Sequence, residues 1–246
     1  MDIDSDITLI DGKPLIYIKS ISALICSDLH LGYEDMMAAR GIFMPHVNLN
    51  SILNELNNAI DLLKPKLLII DGDIKNEFSN TETYEFNELY DFFNQLKTKD
   101  IKIILIKGNH DNYVDKYKKS FNIELYNDEF IIDKYLFFHG ESMPTDKYKE
   151  TDILIMGHEH PSIRITSESG KIERLKCFLS GTYKGKLLLV LPAIGYFASG
   201  TPINAVRKND LISPIFNEID IDRMDAIVIG YDDTINFGKI KDLREI

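Results

Sequence analysis

The sequence predicts an α/β fold with two sheets. Two observations predict it: short apolar or β-branched runs alternate with longer segments of helical spacing over the first two thirds of the chain, and the remainder is β-rich. A third concerns position. Five of the apolar runs end where a short word of Asp, Asn, Gly or His begins, and open α/β sheets place their sites at the carboxyl ends of strands.

The elements follow in order. Ile7 to Ile18 holds apolar runs on both sides of Asp11-Gly12, a dipeptide that tolerates positive φ and so suits a hairpin turn. Ala23 to Ser27, Lys66 to Asp71, Ile101 to Lys107, Tyr135 to Phe138 and Asp152 to Met156 have the character of strands buried on both faces. Between them, Asn48 to Leu63 and Thr81 to Leu96 carry apolar residues at helical spacing, and Pro65 ends the first. The order is β-α-β-α-β. Beyond the last histidine, Ser162 to Thr166, Ile172 to Leu179, Leu187 to Leu191 and Ala226 to Ile229 suggest a second sheet, with Asn204 to Pro214 as a surface loop. No repeat, low-complexity tract or linker divides the chain, so residues 1–246 are expected to form a single domain.

Composition narrows the function classes. A net charge of −11 argues against a protein that coats DNA electrostatically, although a local basic groove stays open. Cys26 and Cys177 are isolated and read as buried apolar side chains in a reducing compartment. The acidic start Met1-Asp2-Ile3-Asp4 is unlike a signal peptide, and the longest apolar run, near Leu187 to Ile194, is too short for a bilayer. The expected location is the cytoplasm, with no membrane partner.

Five of the six histidines fall in four words: Asp28-Leu29-His30, Gly108-Asn109-His110-Asp111, His139-Gly140 and Gly157-His158-Glu159-His160. Gly72-Asp73 lies between the first and second. Alone, Asp-Gly-Asp at 71–73 reads as a turn and Gly-Asn-His-Asp as a polar loop. As an ordered set, each at the end of an apolar strand, the words resemble the calcineurin-like metallophosphoesterases. That resemblance implies a four-layer α-β-β-α sandwich of two mixed sheets flanked by helices, and a centre for two divalent metal ions. Asp28, His30 and His160 would hold one ion, Asn109, His139 and His158 the other, and Asp73 both.

Physical chemistry agrees with the assignment. Two cations about 3.5–4 Å apart repel strongly, so a shared anion such as Asp73 is needed. Asp28 and His30, like His158 and His160, are two residues apart, and an extended segment points such pairs the same way. Mixed oxygen and imidazole donors suit manganese, iron or zinc better than an all-oxygen calcium cage or an all-thiolate zinc site would, and manganese is the expected ion, with iron or zinc as alternatives. Two dications against two carboxylates and a hydroxide leave the centre positive, so it attracts phosphate even in an acidic chain. The expected reaction is in-line attack on phosphorus by hydroxide shared between the metals. By resemblance His110 steadies the transition state or protonates the leaving oxygen, and Asp111 orients His110.

Asp28 to Glu34, Gly41 to Pro45 and Gly72 to Phe78, with Leu191-Pro192-Ala193 and Gly200 to Asn204, are similar to a smaller branch: archaeal proteins related to the SbcD nuclease and bacterial ones linked to DNA ligase operons. The branch implies a phosphoester substrate, DNA or nucleotide, and association with DNA-repair proteins. Asn76 stands where many relatives have histidine, His46 where arginine is common, and Glu141 where a second histidine is common; these departures bear on substrate handling. His46 itself reads as structural, ahead of a helix capped by Asn48 or Asn50. A small-nucleotide phosphodiesterase or phosphatase and a non-catalytic scaffold are the alternatives. Tyr183, Lys184 and Lys186, with Tyr196 and Phe197, are candidates to stack on and contact a strand. Gly185-Lys186 lacks the earlier glycine of a P-loop, and His158-Glu159-His160 is not the zinc-peptidase word.

Overall fold

In chain order, the computed structural model has β1 (Ile7–Leu9), β2 (Ile16–Ile18), β3 (Ala23–Cys26), α1 (Tyr33–Ala39), α2 (Asn48–Leu63), β4 (Leu67–Asp71), α3 (Thr83–Leu96), β5 (Lys102–Ile106), α4 (Lys118–Phe121) and β6 (Glu124–Tyr126). There follow β7 (Glu129–Ile132), β8 (Tyr135–Phe138), β9 (Ile153–Met156), β10 (Pro161–Thr166), β11 (Ile172–Tyr183), β12 (Lys186–Val190), β13 (Thr201–Pro202), β14 (Asp225–Ile229) and β15 (Thr234–Lys239). The structure describes residues 1–77, 83–167 and 169–244, so Phe78 and the expected helix start at Thr81 lie outside the described residues.

β1 to β6 form the first sheet in sequence order, antiparallel through β3 and parallel from there to β6. The second runs β13-β10-β11-β12-β9-β8-β7, with β14 and then β15 attached beside β11. In it β8, β9 and β12 are mutually parallel. Both sheets are therefore mixed.

Strand alternation explains why the strand sequences are apolar throughout. In β4, Leu68 and Ile70 face the helices while Ile69 faces the other sheet. In β9, Ile153 and Ile155 point inward to the first sheet, and Leu154 and Met156 outward. On the helix side, α2 presents Ile52, Leu53, Leu56, Ala59 and Ile60 along one stripe, and it ends at Lys64 in the left-handed region just before Pro65. On the outer face of the second sheet the covering layer is built from 3₁₀ turns, Pro214–Asn217, Ile221–Arg223 and Ile240–Leu243, which bury Ile215, Phe216, Ile221, Ile240 and Leu243.

Several local expectations need correction. Tyr135 to Phe138 and Asp152 to Met156 continue the apolar pattern of the first sheet, yet they lie in the second, because β8 pairs with β7 and β9 with β12. Asn48 is not a cap: Val47 precedes the helix, and the Glu34 carboxylate receives the Val47 and Asn48 amides from outside it. Asn204 to Pro214 is not wholly a surface loop. Asn204 is buried and bonds Arg164 and Leu243, and Ser213 gives its amide to Glu159. Cys26 and Cys177 are buried and unpaired, as expected. No helix among the described residues is long and apolar enough to cross a membrane.

Candidate metal centre

Loops from both sheets converge on one place. After β3 the chain makes Asp28 to His30, after β4 Gly72 and Asp73, and after β5 Gly108 to Asp111; the second sheet adds His139 after β8 and Gly157 to His160 after β9. Backbone bonds lock the loops together: the Asp28 amide donates to the Gly72 carbonyl at 3.1 Å, His30 to Asp73 at 3.0 Å, and Gly157 to His139 at 3.0 Å. Space is tight at the glycines of these loops. A Cβ on Gly72, which has φ 83°, would lie 2.1 Å from His139 Nδ1, and one on Gly157 would lie 1.8 Å from Ser27 Oγ and 2.7 Å from Asp28 Oδ2.

Two groups of donor atoms result, each with its atoms within 4.8 Å of one another: Asp28, His30, Asp73 and His160, and Asp73, His139 and His158. Asp73 belongs to both. In the first, His160 Nε2 lies 2.9 Å from Asp28 Oδ1 and 3.3 Å from His30 Nε2. In the second, His139 Nε2 lies 3.2 Å from Asp73 Oδ2. The His139 and His158 rings meet edge to face at 5.1 Å.

Second partners fix the imidazoles. His139 Nδ1 donates to the Asp71 carbonyl at 2.8 Å, which turns Nε2 toward the centre. His110 Nδ1 donates to the Asn76 carbonyl, its own amide donates to Asp73 Oδ1 at 3.0 Å, and its Nε2 lies 3.7 Å from Asp73 Oδ2. Asp111 braces the backbone on both sides of the site. Its buried carboxylate receives the amides of Ile74, Lys75 and Gly108, stapling the Asp73 loop to the Asn109 loop, while the Asn76 carbonyl orients His110.

Titration behaviour follows from burial and crowding. Burial opposes charge on His139, but the Asp73, Asp28 and Asp71 carboxylates outweigh it and hold the imidazole well above its ordinary value. His160 is raised by Asp28 against the same penalty. His30 and His158 are pulled down to about 4 by burial, with neighbouring imidazoles adding to it. Burial also opposes charge on Asp28 and Asp73, yet His160 and His139 keep both below the usual carboxylate range. Asp111 is pushed up to about 7, first by burial and then by Asp73.

Does the donor set fit metal ions? Asn109 Oδ1 and His139 Nε2 are buried with no hydrogen-bond partner among the described residues. A buried amide oxygen without a donor is costly unless something else binds it, and a metal ion would take the place of the proton that the carboxylates favour on His139. Two imidazole nitrogens facing each other at 3.3 Å suit a shared cation equally well. The residues fit.

Residues outside the words also shape the centre. Asn48 donates to the Leu29 and His30 carbonyls, both at 3.1 Å, and accepts the Tyr196 amide at 2.7 Å. Lys176, whose ammonium is pulled down to about 8 by burial, donates to the Ala193 and Gly195 carbonyls. The carbonyls of Asp71 and Asn76 left no side-chain signal to find, and Asn48 was visible only as a polar residue at a helix start. His46 joins neither donor group: it is exposed, 3.7 Å from Asp35 and close to Glu88. Glu141 is exposed just beyond His139. The proposed strand-contacting group separates. Tyr183 packs on Tyr148 in the outer core, and Lys184 and Lys186 lie at the β11–β12 turn, the end of the sheet away from His158; Tyr196 and Phe197 lie at the centre.

No curated protein matches this sequence. Among solved structures, that of the nuclease MPE of Pseudomonas putida is similar over 96% of this chain and 98% of its own, at 19% identity and a TM-score of 0.66. The E. coli phosphoesterase Yfce is similar over 87% of this chain and 96% of its own, at 16% identity and a TM-score of 0.43. The first likeness establishes the shared fold of two mixed sheets with helices. The family model of the calcineurin-like phosphoesterases matches residues 21–177, a stretch that opens just before β3, closes within β11 and holds every donor described above. By that match over more than half of its length, the chain belongs to the metal-dependent calcineurin-like phosphoesterase family.

Proposed function

We propose that the protein is a binuclear metal-dependent phosphodiesterase acting on nucleic acid or nucleotides. The observation that carries this reading is the sharing of Asp73 between two donor groups. Asp28, His30, Asp73 and His160 would hold one ion, and Asp73, Asn109, His139 and His158 the other. Manganese is the ion we propose, with iron or zinc as alternatives that the same mixed donors accept. Two bound ions would lower the pKa of water toward neutrality and neutralise charge developing on a phosphoryl group.

The chain's own residues do the rest. With Nδ1 committed to the Asn76 carbonyl, His110 presents Nε2 at the edge of the Asp73 carboxylate, where a protonated ring can give its proton to a leaving oxygen or steady the charge there. Asp111 keeps the Asp73 and Asn109 loops in register by holding three backbone amides. The same-fold Pseudomonas putida protein is a nuclease, which favours a nucleic-acid substrate. Within the family we place the chain with the SbcD-related and ligase-associated branch that its words resemble, and DNA-repair proteins are its proposed partners. The intact donor words favour turnover over a scaffold role.

The test is hydrolysis of single-stranded DNA, a cyclic dinucleotide and bis-p-nitrophenyl phosphate with Mn²⁺ supplied, before and after exhaustive chelation. Metal-restored turnover is expected. Activity that survives chelation refutes the reading.

A further inference from the structure

A cavity of about 180 Å³ opens beside the first donor group, lined by Leu29, His30, Tyr33, Asn76, His160 and Phe197 among others. His30 and His160 are donors of that group, so the cavity adjoins the place where a phosphate would sit. One wall is aromatic. Tyr33, at the start of α1, stacks on Phe197 with ring centroids 5.4 Å apart and planes 24° from parallel. Tyr196 meets Phe197 edge-on at 5.1 Å and is itself exposed.

This wall is fixed before any ligand arrives. Asn48 ties the Tyr196 amide to the Leu29 and His30 carbonyls. The Ile194 and Gly195 amides donate to the Ser27 and Asp28 carbonyls at 3.0 and 3.1 Å, and Lys176 holds the same loop from beneath. Aromatic residues and metal donors thus share one framework.

The lining selects a chemistry. Among the described residues no carboxylate, ammonium or guanidinium lines the cavity, so apart from the donors His30 and His160 it offers no pairing to a charged group. A sugar would bury hydroxyls against Leu29 and Phe197 without partners, at a desolvation cost. A flat heteroaromatic ring can stack on the Tyr33–Phe197 wall and turn its polar edge toward Asn76, whose amide both donates and accepts.

We infer that this cavity seats the nucleobase next to the scissile phosphate, packed against the Tyr33–Phe197 pair. The inference rests on the phosphodiesterase reading and narrows it: a base paired within a duplex cannot enter, so the substrate is single-stranded or a free nucleotide. Stacking on an aromatic side chain contributes about 1–3 kcal/mol per base, equivalent to roughly 5–150-fold in affinity.

Two ratios test it. In calorimetry on Mn²⁺-loaded protein, thymidine 5′-monophosphate should bind at least about 5-fold tighter than methyl phosphate. In turnover, kcat/KM for the p-nitrophenyl ester of thymidine 5′-monophosphate should exceed that for methyl p-nitrophenyl phosphate, which has the same leaving group. Phe197→Ala should collapse both ratios toward one, and Phe197→Leu, which keeps the bulk and loses the ring, should lower them. Equal affinity of the wild type for the two monophosphates overturns the inference, as do ratios that neither variant changes. If neither ester is hydrolysed, the phosphodiesterase reading fails, while the calorimetric ratio still decides the cavity.

Discussion

Five of the seven proposed donors, Asp28, His30, Asp73, His158 and His160, have positive φ, between 47° and 66°. Each such non-glycine residue costs about 1–3 kcal/mol, sustained only when the surroundings over-determine it. Nothing in the residue types announces this conformation; the words were legible because Asp, Asn and His recur in order, not because their backbone was. The neighbours Asn109 and His110 should separate binding from chemistry. Asn109→Ala, which removes an orphaned acceptor, should weaken the second metal. His110→Ala should keep both metals and lose roughly 10²–10⁴-fold in turnover, less for a p-nitrophenolate leaving group than for an alkoxide. Metal analysis alongside kinetics checks both; loss of metal in His110→Ala would contradict the assigned role.

A second residue-scale prediction concerns protons. In the metal-free site, carboxylates hold His139 and His160 above their ordinary value, so at neutral pH protons compete with metal for those nitrogens. Protonation weakens as pH rises through the raised values, so apparent metal affinity should climb with pH across and above neutrality. Metal uptake near pH 7 should release protons. Titration calorimetry in buffers of differing ionisation enthalpy measures that number; zero net release would place the protons elsewhere.

Among the elements, the loops after β3 and β9 meet at Gly157, where Ser27 and Asp28 leave no room for a side chain. Gly157→Ala should cost about 1–3 kcal/mol by overpacking and lower occupancy of the first ion, because Asp28 must move. Urea denaturation and metal analysis check it, and normal values in both would show that the loops yield freely. The same scale shows where sequence reading falls short. Helix α2 was bounded correctly because its stripe and Pro65 are local signals. β6, β7 and β15 are too short or too polar to stand out, and α1 is a seven-residue helix that begins at Tyr33, just after the first donor-bearing word.

For the whole molecule, both sheets were legible as strand runs, but membership was not: β8 and β9 read as part of the first series and pair in the second. Pairing is a non-local choice that apolar character alone does not encode. The donors therefore come from two sheets, and ions held there should stabilise the folded chain. Saturating Mn²⁺, at 100 to 1,000 times its dissociation constant, should add about 3–4 kcal/mol. Thermal denaturation with and without metal reads this, and an unmoved midpoint would argue against a filled centre.

That origin in two sheets also sets a sequence of events during synthesis. The proposed donors extend from Asp28 to His160, and each donor group draws on the loop after β9. A nascent chain that has not yet delivered that loop holds at most fragments of either group. Metal capture is then a late act that locks a framework already built from backbone pairing and apolar contact, and chains stalled before Gly157 should emerge metal-free however much metal surrounds them.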